Sequence, residues 1–142
     1  MFVFRADPTH RISFFDVKNL EEKMKGLLFL AHGSKVAETH ETLQQYIVAL
    51  SSRSNYDHVI GAYLQMMDPD LHEAIEDLVS KGVETIDIFP FFLFNGNHML
   101  MDIPVEIEAA QNNHPGLHIR FMDCIGYDEA LVELIVNRLK QA

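Results

Sequence analysis

The chain has 142 residues, a formal net charge of −10 and one cysteine, and 48% of its residues are hydrophobic. This length predicts a single domain with one hydrophobic core. The acidic balance argues against nucleic-acid binding, because phosphate backbones are bound by clustered Lys and Arg side chains. No apolar run reaches the ~20 residues that span a bilayer. The lone Cys124 cannot form an intramolecular disulfide, and the absence of a signal-peptide segment in residues 1–23 completes the prediction of a cytoplasmic protein.

Residues 1–23 are predicted to form a β-hairpin attached to a domain of residues 24–142. Two short segments rich in β-forming residues, 2–5 and 11–17, flank a turn-forming stretch that contains Asp7 and Pro8. We expect this hairpin to extend an edge of the sheet or to contribute to a dimer contact.

Buried strands and amphipathic helices alternate from residue 26 onward. The apolar runs 26–31, 58–64 and 85–89 predict three buried strands, and the alternating segment 117–122 predicts a fourth, more exposed one. Helical spacing of apolar residues predicts a helix after each strand. The apolar face of the first helix consists of Val36, Leu43, Ile47 and Leu50.

The starts of the other helices follow from their capping residues. Asp70, with Glu73 three residues later, is predicted to begin the second helix. Asp102 is the expected N-cap of the third helix, because Pro104 is tolerated in a first turn. Asp128 is predicted to cap the last helix, whose inward-facing residues are expected to be Leu131, Leu134, Ile135 and Leu139.

The order βαβαβαβα predicts a three-layer α/β/α sandwich around a four-stranded parallel sheet, since right-handed crossovers place helices on both faces. The expected strand order 2-1-3-4 puts the first and third strands side by side, with the chain leaving them in opposite directions. Their carboxyl ends then form the crevice in which open α/β sheets bind ligands.

Two histidines from distant parts of the chain are expected at this crevice. His32 follows the first strand, and His98 follows the third. Neutral imidazoles bind divalent transition metals and accept protons near neutral pH. The plainer alternative is that both are ordinary polar loop residues. His40, about two turns along the first helix, is a candidate third group, although a solvated helical histidine explains it equally well.

Aromatic and thioether side chains border His98 in the sequence, namely Phe91, Phe92, Phe94, Met99 and Met101. Flat apolar ligands bind in pockets with such walls. Core packing is the commoner explanation of a Phe-rich stretch beside a buried strand.

Nucleotide use is not expected, because the chain has neither a Walker phosphate loop nor a dinucleotide fingerprint. A histidine phosphatase is disfavoured, since Ala31 precedes His32 where those enzymes have an arginine.

Segments 30–35, 89–98 and 102–104 resemble the small CbiX/SirB-type class II chelatases in residues, order and spacing, and the likeness covers residues 25–140. The resemblance implies a chelatase-like fold and the insertion of cobalt(II) or iron(II) into sirohydrochlorin, on the routes to cobalamin and sirohaem. It implies no nucleotide and no permanently bound cofactor. Nickel(II) suits the same imidazoles.

The resemblance also implies roles for individual residues. His32 and His98 match the two active-site histidines, which bind the metal and accept pyrrole protons. The expected tetrapyrrole contacts are Ser34, Lys35, Gln65, Phe92, Phe94, Gly96, Asn97 and Met99. Gln65 stands where many relatives have glutamate, and an amide cannot accept a proton. A non-catalytic carrier of metal or tetrapyrrole therefore stays open as the alternative.

Longer chelatases resemble two such domains fused in one chain. A half-sized chain is therefore expected to form a homodimer, to which the hairpin predicted in residues 1–23 is a candidate contributor.

Overall fold

The computed structural model describes residues 23–142, apart from the side chains of residues 98–100. The hairpin predicted for residues 2–17 lies outside the described residues. The elements in chain order are β1 (Lys25–Ala31), α1 (Ala37–Arg53), β2 (His58–Tyr63), α2 (Leu71–Ser80), β3 (Thr85–Pro90), α3 (Asn97–Asn113), β4 (His118–Phe121) and α4 (Glu129–Lys140).

The four strands form one sheet in the order β2-β1-β3-β4, and every pairing in it is parallel. This confirms the predicted topology. β1 is central, and all of its residues after Lys25 are buried, as its continuous apolar run predicts. Among the strands described in residues 23–142, β4 pairs with β3 alone, and its residues alternate between exposed and half-buried, as its sequence predicts.

Helices pack against the sheet from both sides. α2 and α3 share the larger core cluster, whose most deeply buried residues include Ile75, Leu78, Ile88 and Ile103. α1 packs on a second cluster formed by Phe29, Ala31, Leu43, Ile47 and Tyr63. Full burial of one Leu or Ile side chain stabilises a protein by about 1.5–3 kcal/mol, so these two clusters hold the layers together.

The predicted capping box at the start of α2 is present. The backbone N–H of Glu73 donates to Oδ1 of Asp70 at 2.8 Å, and the backbone N–H of Asp70 donates to Oε2 of Glu73 at 3.1 Å. Two backbone donors of the first turn are thereby satisfied. The Asp70 carboxylate is thus committed to the helix start.

The predicted start of α3 at Asp102 is wrong. The helix begins at Asn97, with extended Gly96 as its N-cap, and Pro104 lies inside it. Pro104 lacks the N–H that would bond one turn back. Buried Ile103, Ile107 and Ala110 hold the helix on the sheet, so packing outweighs this local cost. His98 consequently lies in the first turn of a helix rather than in a loop.

The inward orientation predicted for Leu134, Ile135 and Leu139 of α4 is also wrong, whereas Leu131 is half-buried. Asp128 caps the helix as predicted, by accepting from the backbone N–H of Ala130 at 2.8 Å. No residue of α4 is buried. Leu134, Ile135 and Leu139 are 49%, 51% and 69% exposed. A helical apolar pattern identifies the apolar side of a helix but not what covers it. Of the helices described between residues 23 and 142, none is long and apolar enough to cross a bilayer.

Among the described residues, Asp87 of β3 is the one charged residue in the buried class, at 8% exposure. Arg120 of β4 donates to both of its oxygens, from Nε at 2.9 Å and from NH2 at 2.8 Å. The Tyr56 hydroxyl donates to Oδ2 at 2.5 Å. Burial would raise the pKa of Asp87, but the hydrogen bonds from Arg120 and Tyr56 outweigh it and hold the pKa below its ordinary value.

Candidate active site

A crevice of about 840 Å³ lies at the carboxyl ends of β1 and β3, where the strand order reverses. Its walls come from the segments that follow β1, β2 and β3 and from α3. The lining residues are His32, Leu64, Gln65, Phe91, Phe92, Leu93, Phe94, Asn95, Gly96, Asp102, Ile103 and Glu106. The crevice therefore lies at the strand ends where the sequence predicts one.

The segments after β1 and β2 are joined by backbone contacts. The N–H of Leu64 donates to the carbonyl of Ala31 at 2.9 Å, and the N–H of Gln65 donates to the carbonyl of His32 at 3.0 Å. Gly33 follows with φ +93°, a conformation that L side chains rarely adopt. These bonds continue the parallel pairing beyond the strands and fix His32 beside Gln65.

The His32 imidazole is exposed to the crevice and rests against Phe92. The two ring centroids are 4.2 Å apart, in an edge-to-face arrangement with an interplanar angle of 61°. Phe92 is itself only 6% exposed, so the core holds this ring in place. An aromatic contact of this geometry contributes about 0.5–1.5 kcal/mol beyond burial. The contact with Phe92 therefore orients the imidazole within the crevice.

Another part of the crevice lining belongs to α3. Ile103 is 1% exposed and anchors this part of the helix in the core, while Asp102 and Glu106, one turn apart, line the crevice. Burial raises the pKa of Glu106, and the nearby Asp70 and Asp102 carboxylates raise it further, against a smaller opposing effect of His72. This wall brings negative charge to the crevice.

The chemistry of the crevice is mixed. Phe91, Phe92 and Phe94 provide aromatic surface, and Phe94 is 80% exposed. Imidazole, amide and carboxylate groups stand around that surface. Such a combination can hold a flat, largely apolar ring and, next to it, a divalent cation.

The sequence profile of the CbiX family matches residues 26–142 of this chain. The chain belongs to the CbiX family.

Curated relatives include proteins of two lengths. The sirohydrochlorin cobaltochelatase of Sulfurisphaera tokodaii is 32% identical over 118 residues, which are 83% of this chain and 93% of that protein. The chloroplastic sirohydrochlorin ferrochelatase of Arabidopsis thaliana is 25% identical over 87% of this chain and 55% of that protein. The CbiX chain thus spans nearly the whole of a short relative and about half of a long one.

The solved structure of the sirohydrochlorin chelatase SirB from Bacillus subtilis subspecies spizizenii, in complex with cobalt, has the same fold. Its TM-score is 0.77 at 24% identity, over 83% of this chain and 50% of that chain. This likeness confirms the predicted chelatase-like α/β architecture.

Five of the residues predicted for the site from the CbiX/SirB resemblance line one crevice. They are His32, Gln65, Phe92, Phe94 and Gly96. Their contacts with a tetrapyrrole or a metal stay predictions, but their common location agrees with the expected site.

Other predicted site residues lie elsewhere or are not fully described. Ser34 lines a neighbouring groove of about 420 Å³, and its hydroxyl accepts from the backbone N–H of Val36 at 3.0 Å. Lys35 and Asn97 are exposed and line neither cavity. His98 and Met99 belong to the first turn of α3, and their side chains are outside the described part of the structure. The proposed pairing of two imidazoles therefore stays a prediction.

His40 does not line the crevice of the CbiX chain. Its Nδ1 is 2.9 Å from the hydroxyl of buried Tyr63, on the side of the sheet that α1 covers. This hydrogen bond gives His40 a structural partner, so its role as a third crevice group is not supported by its position.

Asp102 and Glu106 are the charged residues of the crevice lining that sequence reasoning missed as site residues. The two residues are spaced i, i+4 in the sequence. Because the helix was expected to start at Asp102, that residue was interpreted as its cap, and no orientation of the Glu106 side chain was predicted. Among the side chains described in residues 23–142, no group of three or more His, Cys, Asp or Glu residues is placed to hold a metal ion.

Proposed function

We propose that this chain is a sirohydrochlorin metal chelatase, an enzyme that inserts cobalt(II) or iron(II) into sirohydrochlorin without a nucleotide. The observation that carries the proposal is the crevice of a CbiX-family chain, in which the His32 imidazole stands against an aromatic wall. Some relatives are named cobaltochelatases and others ferrochelatases, so they support the reaction class but do not indicate which metal this chain uses.

The chemistry of insertion accounts for this set of side chains. Two pyrrole N–H bonds break, their electron pairs bind the incoming ion, and two protons leave with acceptors. His32 suits both delivery of the ion and acceptance of a proton. Phe94, which is 80% exposed, offers apolar surface to the macrocycle, which replaces water in the crevice. We assign His98, in the first turn of α3, the partner role to His32.

A second candidate function is favoured by Gln65. Gln65 lines the crevice and its backbone N–H donates to the carbonyl of His32, but its side-chain amide accepts no proton, which suits a carrier of metal or tetrapyrrole as well as an enzyme. A carrier binds its cargo once per site, whereas a chelatase turns over.

The deciding experiment incubates the full chain with sirohydrochlorin and either cobalt(II) or iron(II) under anaerobic conditions. Absorbance follows formation of the metallated product against the spontaneous reaction. Product beyond one equivalent per chain supports the chelatase. Saturable binding of metal or tetrapyrrole that stops at one equivalent supports the carrier. If neither turnover nor binding is observed, both proposed functions are overturned.

We also propose that the functional unit is a homodimer. The chain spans 55% of the Arabidopsis relative and 50% of SirB, and in the proposed dimer a second copy stands in the place of the other half of those longer chains. The exposed apolar face of α4, formed by Leu134, Ile135 and Leu139, is suited to burial against that copy.

Sedimentation velocity tests the dimer. Ile135→Glu is expected to give the monomer mass, while Asn137→Glu, which adds the same charge on the other side of α4, keeps the dimer. A wild-type monomer at micromolar concentration overturns the proposal. Loss of the dimer in both variants would mean that the apolar face of α4 is not specifically the dimer contact.

A further inference from the structure

We propose that residues 11–15 of this chain dock in a groove next to the crevice, on the side of the sheet that α1 covers. The groove is the one of about 420 Å³ that Ser34 lines. The proposal goes beyond the chelatase function, because it assigns a partner to a neighbouring surface rather than a step to the reaction.

The groove is apolar and open to solvent. Its aromatic wall is Phe91, whose ring centroid lies 4.8 Å from that of Phe29 and 5.0 Å from that of Tyr46. Phe29 is 4% exposed, so the core fixes this aromatic group, whereas Tyr46 and Val36 in the groove lining are 44% and 57% exposed. Exposed apolar surface gathered in one concave place is typical of an interaction site. Phe91 also lines the crevice, so the groove and the crevice share one wall.

The described helices leave this groove open. Among the residues described between 23 and 142, its lining comes from the end of β1, from α1 and from the segments that follow β1 and β3, and no residue of α4 takes part. α4 itself has no buried residue. An occupant therefore comes from outside the described residues, either from this chain or from another molecule.

The charge of the groove favours an occupant that is both basic and apolar. Glu38 lines the groove, and Glu41 follows three residues later on the exposed part of α1. Among the described residues of the lining there is no Lys or Arg. A segment with one cationic side chain and two aromatic ones complements this surface, because the cation faces the carboxylates and the rings pack on Phe91.

Residues 11–15 have this composition. Arg11 is followed by Ile12, and Phe14 and Phe15 come after one serine. The same short stretch thus brings a guanidinium group for the acidic rim and three apolar side chains for the groove. Burial of apolar side chains supplies most of the free energy of such a contact, and the ion pair supplies its direction.

The position of β1 brings this stretch within reach of the groove. The preceding chain joins the sheet at Lys25, the first residue of β1, and the groove lies at the other end of that strand. A strand of 7 residues covers roughly 23 Å. The chain from Phe15 to Lys25 covers up to roughly 33 Å when it is extended. Residues 11–15 therefore reach the groove of their own chain without a second copy.

Thiol accessibility in the full chain tests the docking. Thr42→Cys places a thiol in the groove, and Cys124→Ser removes the native thiol from the same chain. We expect the reaction with a thiol reagent to become about tenfold faster when Phe14→Asp and Phe15→Asp are added, because the groove then stays open to solvent. Gln45→Cys, an exposed position of α1 outside the groove lining, is the matched control and should react at the same rate in both backgrounds.

A second change separates docking from damage to the fold. Circular dichroism should show the same cooperative thermal transition with and without Phe14→Asp and Phe15→Asp. If that pair unfolds the protein, Arg11→Glu replaces it, because it changes only the charge that faces Glu38. We expect Arg11→Glu to make the Thr42→Cys thiol react about threefold faster.

The outcomes are distinct. Protection of the Thr42→Cys thiol that is independent of protein concentration and lost with the changes in residues 11–15 supports the proposal. Equal rates with and without these changes overturn it and leave a sheet edge as the contact expected for residues 1–23. Protection that increases with protein concentration assigns the groove to a second copy and overturns the proposal as well.

Discussion

A β-carbon at Gly33 would lie 1.9 Å from the backbone carbonyl oxygen of Gln65. The segments after β1 and β2 touch backbone to backbone at this point, between the residue that follows His32 and Gln65 itself. Gly33 also has φ +93°, so both its space and its conformation call for glycine. The geometry of the crevice thus depends on a residue that contributes no functional group.

Gly33→Ala should therefore displace the Gln65 segment. We expect a loss of about 1–3 kcal/mol in the free energy of unfolding, because a strained conformation and a backbone clash are both introduced. Product formation should fall as well, since His32 is bonded to the displaced segment. Urea unfolding and the chelation assay measure the two effects. Gly116→Ala is the control, because nothing lies within 4 Å of a β-carbon there. Equal stability of both variants would contradict the prediction.

His32→Ala is expected to lower product formation by about 100-fold or more, because it removes a metal ligand and a proton acceptor together. The fold should persist, since the imidazole is exposed and His32 belongs to neither core cluster. Circular dichroism and thermal unfolding check the fold. His118→Ala on exposed β4 is the matched control. His98→Ala should behave like His32→Ala, and full activity in either crevice variant would remove that histidine from the mechanism.

Gln65→Glu places a carboxylate beside His32 and should strengthen binding of cobalt(II). We expect about tenfold tighter binding, or about 1.4 kcal/mol, because opposite charges attract across a partly exposed site. Isothermal titration calorimetry in the absence of tetrapyrrole measures the change. Gln45→Glu, on the exposed side of α1, adds the same charge away from the crevice and should bind cobalt(II) like the wild type. Equal affinities of the two variants would mean that Gln65 does not face the ion.

The sheet and the place of the crevice were predictable, whereas the helical wall was not. Continuous apolar runs such as residues 26–31 identify buried strands, and strand order then fixes where His32 arrives. Pro104 led to a wrong prediction of the start of α3. The preference of proline for a first turn is a local effect, whereas the burial of Ile103 depends on tertiary packing. Glu106 was missed for the same reason. Leu139 was expected to face inward but is exposed, because the apolar pattern of α4 does not show whether another element packs on that face.

Asp87→Asn should destabilise the fold at neutral pH, because it removes the buried charge to which Arg120 and Tyr56 donate. We expect a loss of roughly 1–3 kcal/mol in the free energy of unfolding. Since the folded pKa of Asp87 is below its unfolded value of about 3.9, this stabilisation is present above that pH and fades as the pH falls through the folded pKa. Urea unfolding at pH 7 and near pH 3 should show the difference shrinking. Asp77→Asn is the control, because Asp77 pairs with Lys81 at 49% side-chain exposure, where an ion pair contributes little. A difference that stays constant with pH would mean that the Asn variant acts through packing rather than through charge.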